Sequence, residues 1–324
     1  MKVFITGATG FIGRCLIDKL LKDNCEITAL VRNNNHKLPA NVNIIIGDIL
    51  NSESFKNASY PYDVLYHLAG FVTFNQDQKR NLIEVNYIGT LNILSFALSC
   101  SVKQTVIISS ACTIGISLNR NTLLDENCSL SSGIIKSNPY LESKLYAETA
   151  AMEFSKSLNV VIVNPSTVYG PGDYSLNSGT LLSNFLKSSI LPVPPGGCNA
   201  IDVDDVSEGI IAAGKYGLSG HRYIISNENL TFLDIFNMFS IITNHKPIFI
   251  HIPAFMKTIA SSFTYILGLF LKNRFFTPQI VNDLFLFKYY SNKKAINELK
   301  WKPTFNFKNT TTRAIEFYNN NNLI

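Results

Sequence analysis

The sequence predicts an α/β fold: a doubly wound parallel sheet followed by a smaller, mostly helical cap. Three observations carry this reading. Short apolar runs alternate with helix-period segments through the first half of the chain. Those runs are continuously apolar, as in strands covered on both faces. The rhythm then breaks near Pro165, where Gly, Pro and Ser crowd residues 165–200 and favour loops.

The elements follow in order. Val3-Phe4-Ile5 reads as a first strand, and Ile12 to Leu21 as a helix with apolar residues at 12, 16, 17, 20 and 21. Ile27–Val31, Asn43–Ile46 and Val64–Leu68 are further strands. A long helix is expected from Lys79 to Cys100, a fifth strand at Val106–Ile108, a helix from Pro139 to Leu158 and a sixth strand at Val160–Val163. Right-handed crossovers turn such an order into a doubly wound sheet. A helix at Val203–Tyr216 and a strand at Arg222–Ser226 continue the pattern. Helices at Thr231–Thr243, Ala254–Leu271 and Lys308–Asn319 belong to the cap. The expected division is interleaved: 1–165 with 201–226 in one domain, 166–200 with 227–324 in the other.

Composition narrows the function classes. The chain has 324 residues, 46% hydrophobic and 16% charged, with a net charge of +5. It is too apolar for a disordered chain, and its mild charge gives no case for nucleic acid. Cysteines 15, 25, 100, 112, 128 and 198 are scattered without paired spacing, which reads as free thiols in a reducing compartment. The start enters a strand and a turn at once, so a cytoplasmic location is expected. The uncharged stretch between Lys257 and Lys272 is shorter than the roughly 20 residues of a membrane span. Its low charge still allows contact with a membrane surface.

Between the first strand and first helix lies Thr6-Gly7-Ala8-Thr9-Gly10-Phe11-Ile12-Gly13, with glycines at 7, 10 and 13. In a strand–turn–helix this spacing makes a dinucleotide turn. Gly7 permits the reversal, Gly10 lets backbone approach a pyrophosphate, and Gly13 allows close helix–strand packing. The helix N-terminus adds free N–H groups and a positive dipole end. Thr9, Phe11 and Ile12 complete the cofactor-binding turn of this Rossmann-type sheet. An NAD site would carry a carboxylate after the second strand; here Leu30-Val31 leads to Arg32, whose guanidinium suits a 2′-phosphate. The expected cofactor is therefore NADP, with NAD as the alternative, and Arg14 and Lys37 as helpers. No metal site is expected.

The fifth strand ends in Ser109-Ser110-Ala111, where ligands meet a parallel sheet. Asn138 and Pro139 suit the N-cap and first turn of a helix. That helix sets Tyr140 and Lys144 at i and i+4 on one face. An ammonium nearby lowers a phenol's pKa, so Tyr140 is read as general acid/base, Lys144 as the group that tunes it, and Ser110 as the donor that positions a carbonyl. Tyr-x-x-x-Lys recurs at Tyr289/Lys293 and Tyr290/Lys294, but those copies precede a helix that Ser291 or Asn292 would cap and lack the Ser-Ser-Ala strand end.

These motifs, with Gly47-Asp48-Ile49, His67-Leu68-Ala69-Gly70, Asn86-Tyr87-Ile88-Gly89-Thr90 and Asn164-Pro165-Ser166-Thr167, stand in an order that resembles the extended short-chain dehydrogenases/reductases, the NAD-dependent epimerase/dehydratase family. The resemblance covers nearly the whole chain. It implies Asp48 and Ile49 at the adenine, Leu68, Ala69 and Gly70 along the cofactor, and Pro165 and Ser166 near the nicotinamide. It implies that Lys144 also binds the ribose. Asn86 is left open between a helix-packing group and a site residue. Sugar-nucleotide enzymes of the family carry Arg and Asn where Asn164 and Thr167 stand, a departure that weakens a sugar substrate. Val163–Thr167 looks instead like the dihydroflavonol reductase-like branch, with its hopanoid-associated "sugar epimerase" group. Asp202 stands where that branch usually has His.

The resulting expectation is a carbonyl reductase or alcohol dehydrogenase acting on an apolar or aromatic small molecule. The alternatives are an epimerase or dehydratase acting on a nucleotide sugar, and a non-catalytic cofactor-sensing protein. Phe71, Phe74, Phe255, Phe263, Tyr265, Phe270, Phe275 and Phe276 supply the aromatic residues of the cap. A homodimer through the helices at 79–100 and 139–158 is implied by the resemblance alone.

Overall fold

The computed structural model describes residues 1–35, 37–58, 60–73, 75–130, 134–135, 138–257 and 278–324. Of the expected cap aromatics, Phe74, Phe263, Tyr265, Phe270, Phe275 and Phe276 lie outside the described residues, as does the span 258–271 of the expected helix. Its first residues, Ala254–Met256, form a single 3₁₀ turn.

Seven parallel strands make the central sheet: β1 (Lys2–Thr6), β2 (Glu26–Val31), β3 (Asn43–Ile46), β4 (Val64–His67), β5 (Gln104–Ile108), β6 (Val160–Pro165) and, from much later in the chain, β10 (Arg222–Ile225). Their spatial order is β10-β6-β5-β4-β1-β2-β3. Chain direction across the sheet reverses between β1 and β4, the crevice where such sheets bind ligands. On one face pack α1 (Phe11–Lys22) and α6 (Val203–Tyr216), burying Leu16, Ile17, Leu20, Val206 and Ile210. On the other lie α3 (Gly89–Ser99) and α4 (Pro139–Phe154), with Ile93, Leu94 and Ala151 fully buried. This two-sided burial is why the strands read as unbroken apolar runs.

The long helix expected from Lys79 is interrupted. It comprises α2 (Lys79–Ile83), a π-helical turn at Glu84–Ile88, and α3. Among the described residues, the run Gln76–Ser99 is long and apolar enough to cross a membrane. Here Leu82, Ile93 and Leu94 are buried within the fold.

The second lobe combines α5 (Gly179–Lys187), α7 (Phe232–Thr243) and α10 (Phe307–Asn320) with short strands that the sequence reading did not name. β9 (Gly197–Asp202) pairs with β7 (Thr167–Tyr169), β11 (Glu228–Thr231) and β13 (Phe287–Lys288). β8 (Ile190–Val193) pairs with β12 (Ile248–His251). α8 (Pro278–Asp283) and α9 (Lys293–Leu299) complete the chain. A core rich in Phe185, Phe232, Phe236 and Phe239 holds this lobe together. All six cysteines are free.

Candidate active site

The glycine turn closes β1 onto α1. Gly7 has φ +73°, the left-handed region that favours glycine, and a Cβ there would come within 2.5 Å of the Ala69 backbone nitrogen. A Cβ on Gly13 would lie 2.2 Å from the Gly7 carbonyl oxygen, so α1 can pack this close to the turn only with glycine. Gly10 is the N-cap of α1. No side chain caps that terminus, and no acidic residue occupies its first turn. With Thr9, Phe11 and Ile12 around it, the end of α1 is left as an anion-receptive group of N–H donors. These features fit a dinucleotide pyrophosphate.

Leu68, Ala69 and Gly70 leave the end of β4 beside this turn. The Ala69 N–H donates to Thr6 Oγ1 at 3.2 Å. His67 lies behind them, fully enclosed, 2.6 Å from Thr6 Oγ1 and 3.0 Å from Thr90 Oγ1. Burial pulls its pKa down to about 3, with the Lys144 charge adding to the effect. The ring is therefore neutral across ordinary pH.

Arg32 is exposed just past β2. Arg14 donates from Nε to Thr9 O at 2.9 Å and from Nη1 to Lys37 O at 3.4 Å. A cavity of about 600 Å³ beside Arg14 is walled by Phe11, Lys37, Tyr174 and Phe317; neither Arg32 nor Tyr140 lines it. Asp48 accepts from the Leu50 N–H at 2.9 Å, a turn bond that engages one carboxylate oxygen. Ile49 is buried, and its carbonyl accepts from Asn92 at 2.7 Å.

Ser110 is a neighbour of the Tyr140 phenol, and Lys144 reaches the end of β5, the strand that leads to Ser110. Asn138 caps α4, accepting from the Leu141 N–H at 3.1 Å, and Pro139 occupies its first turn. The Lys144 ammonium is buried and donates to the Ile108 carbonyl at 3.0 Å. Desolvation lowers its pKa to about 8, while Cys112 and Glu148 oppose the shift.

The expected lowering of the Tyr140 pKa is not what this arrangement gives. Burial, reinforced by Cys112, pushes the phenol up, and only the nearby Ser110 hydroxyl pulls it down. The Lys144 ammonium is spent on the Ile108 carbonyl, and loss of water dominates at the phenol.

A buried polar network underlies this cluster. Glu148 Oε1 accepts from Thr113 Oγ1 at 2.7 Å and from Asn164 Nδ2 at 2.6 Å. Asn164 Nδ2 also donates to the Ser110 carbonyl at 3.1 Å, and that carbonyl lies 2.7 Å from the same Thr113 hydroxyl, whose single proton the two acceptors share. Arg222, on β10, lies 3.6 Å from Glu148 Oε2. The ends of β5, β6 and β10 are thereby tied to α4. Sequence reasoning missed Glu148, although it continues the 140/144 face at i+8. Asn86 sits in the π-helical turn. Its amide donates to Phe71 O at 2.9 Å and to Ser143 Oγ at 2.9 Å, and it accepts from the Phe71 N–H at 2.8 Å. Asn86 thus links the strand-four loop to the helix that carries Tyr140.

Pro165 ends β6, and Ser166 donates to Asn199 at 2.6 Å. Asp202, where the resemblance to the dihydroflavonol reductase-like branch implies a His, N-caps α6 by accepting from the Asp204 N–H at 2.8 Å and pairs with Arg313 at 3.0 Å. The recurring Tyr289 and Tyr290 are buried, and Asn292 precedes α9, so Lys293 begins a helix that neither tyrosine joins. Phe255, expected in an apolar substrate environment, stands exposed. No cluster of His, Cys, Asp and Glu able to hold a metal occurs among the described residues.

Comparison with known proteins agrees with this geometry. The family model described as the NAD dependent epimerase/dehydratase family matches residues 3–226. A putative dihydroflavonol 4-reductase of Synechocystis sp. is 33% identical over 251 residues, covering 74% of this chain and 72% of its own. The sterol demethylase protein B of Methylococcus capsulatus is 28% identical over 267 residues, 80% of each chain. The crystal structure of gox2253 superposes with a TM-score of 0.86 at 25% identity, over 99% of both chains. The chain belongs to the NAD-dependent epimerase/dehydratase family.

Proposed function

We propose that this protein is an NADP-preferring reductase that interconverts a carbonyl and a secondary alcohol on an apolar or aromatic small molecule. The observation that carries the reading is the placement of the buried Tyr140 phenol near the Ser110 hydroxyl, with the Lys144 ammonium held at the end of β5. A protonated phenol in that position is an acid ready to serve a carbonyl.

When bound, the nicotinamide coenzyme supplies the hydride. The chain's residues do the rest. Ser110 donates to the carbonyl oxygen and stabilises the negative charge that develops there. Tyr140 releases its proton to the same oxygen, giving the alcohol. Lys144 stands ready to stabilise the phenolate that remains and to hold the ribose. Glu148, Thr113 and Asn164 fix the Ser110 backbone and so its hydroxyl. Gly7, Gly10, Gly13, Thr9, Phe11 and Ile12 would hold the pyrophosphate, Leu68, Ala69 and Gly70 its path toward the nicotinamide, and Pro165 and Ser166 the far end. Asp48 and Ile49 would face the adenine. Arg32, with Arg14 and Lys37 nearby, would meet the 2′-phosphate.

The apolar substrate class draws support from two sides. The relatives' names speak of a dihydroflavonol and a sterol. Asn164, at a position where sugar-nucleotide enzymes carry Arg, is completely buried in the network beneath Ser110.

A panel of aromatic and alicyclic ketones, followed by NADPH absorbance at 340 nm, tests this. Consumption of NADPH by the native protein and its loss in Tyr140→Phe are expected. Conversion of a sugar nucleotide with no net absorbance change would favour an epimerase.

A further inference from the structure

The outer face of the β8–β12 pair has no counterpart elsewhere in the function proposed above. These two strands run parallel, with Ile190 opposite Ile248 and Pro192 opposite Ile250. Pleating sends Leu191, Val193 and Phe249 inward onto the phenylalanine core. It leaves Ile190, Ile248 and Ile250 outside, at 57%, 66% and 50% exposure, with Pro192 beside them. Parallel strands are normally covered on both faces. Neighbouring exposed isoleucines on adjacent strands form a continuous patch, unlike single apolar residues scattered over a surface. Phe255, shortly beyond β12, is 79% exposed.

The charge on the two segments that carry these strands has one sign. Lys187 and Lys246 are exposed just before β8 and β12. Because the strands are parallel and in register, both lysines stand at the same end of the pair. His245 Nε2 donates to the Ser188 carbonyl at 2.8 Å and ties together the two segments that lead into the strands. The segments 179–201 and 235–257 contain no Asp or Glu. A second copy of the chain fits this poorly, since a two-fold contact would bring four lysines around one interface with no carboxylate from these segments to answer them.

We propose that the β8–β12 face docks on an anionic lipid surface, with Ile190, Ile248 and Ile250 entering the headgroup region and Lys187 and Lys246 lying against lipid phosphates. Apolar side chains combined with basic ones are the pairing that holds a protein at a membrane interface. The proposal does not depend on the substrate reading.

Flotation of the full chain tests it, with phosphatidylcholine vesicles compared against vesicles containing about a third phosphatidylglycerol. The native chain should float with the anionic vesicles and largely remain behind with the neutral ones. Lys187→Gln and Lys246→Gln should each weaken binding about fivefold, and Ile248→Glu with Ile250→Glu should abolish it. All of these side chains are exposed, so an unchanged melting temperature and unchanged NADPH binding would certify the variants as folded. Three results would overturn the proposal. The native chain could stay in solution with both vesicles. It could float equally well after the isoleucine substitutions, which would move docking to another segment. Or light scattering could show a dimer that the same substitutions dissociate, without flotation.

Discussion

The cluster around Tyr140 and the cluster around Arg32 are built in opposite ways. Around Tyr140, Lys144, Glu148, Asn164 and Thr113 are buried and hydrogen-bonded to one another or to the strand ends. Around Arg32 the cations are exposed or partly so, and Arg14 is steadied by backbone carbonyls. The first arrangement is rigid because each polar group would be costly without its partner. The second draws on charge in a high dielectric, which contributes less and is screened by salt. Substitutions in the first cluster should therefore alter chemistry and stability together, and those in the second should alter cofactor choice alone.

The largest effect is expected at Tyr140. Tyr140→Phe removes the proton donor and should cut kcat by about 10²–10⁴-fold, while the dissociation constant for NADPH measured by fluorescence stays near the native value. Glu148→Ala comes next. It leaves Arg222, Thr113 and Asn164 without their shared acceptor and should cost about 3–5 kcal/mol in urea unfolding. A loss below 1 kcal/mol would show that the network does not hold the site.

Lys144→Met should give the opposite sign in stability. The Lys144 pKa falls from 10.5 to about 8 on folding, so below pH 8 the folded state carries a buried charge at a cost of up to about 3 kcal/mol. Lys144→Met should thus be inactive yet more stable at pH 7. That advantage should close as pH rises from 8 to 10.5, where the unfolded state also loses its proton. His67 gives a second pH signature. Its pKa drops from 6.5 to about 3 on folding, so its contribution is intact above pH 6.5 and is lost as pH falls toward 3. His67→Gln should flatten that part of the stability profile. The smallest effect belongs to Arg32→Ala, which should weaken NADP binding about tenfold and leave NAD unchanged. Equal native affinity for the two cofactors would remove the NADP preference.

The legible parts of this molecule are those governed by local rules. The turn from Thr6 to Gly13, the Asn138–Pro139 start of α4 and the shared face of Tyr140 and Lys144 all follow from spacing and capping. Glu148 was legible too, at i+8 on that face, but its partners come from β5, β6 and β10 and have no local signal. The direction of the Tyr140 shift required knowing that Lys144 turns to the Ile108 carbonyl and that water is excluded, both consequences of tertiary packing. The strands of the second lobe escaped for a related reason. They are short, β8 contains Pro192, and β9 finds its partners at residues 167–169, 228–231 and 287–288. Pairing at such separations sets those strands more than propensity does.

The pH dependence of ketone reduction by the native protein addresses the central claim most directly. A phenol kept protonated by burial predicts that kcat/KM for reduction holds steady from pH 6 to about 8, where the Lys144 ammonium begins to lose its proton, with no ionisation of the phenol below its ordinary value of about 10. The same activity should be absent from Tyr140→Phe at every pH. A fall in reduction that begins well below pH 8, or appreciable turnover by Tyr140→Phe, would contradict the account.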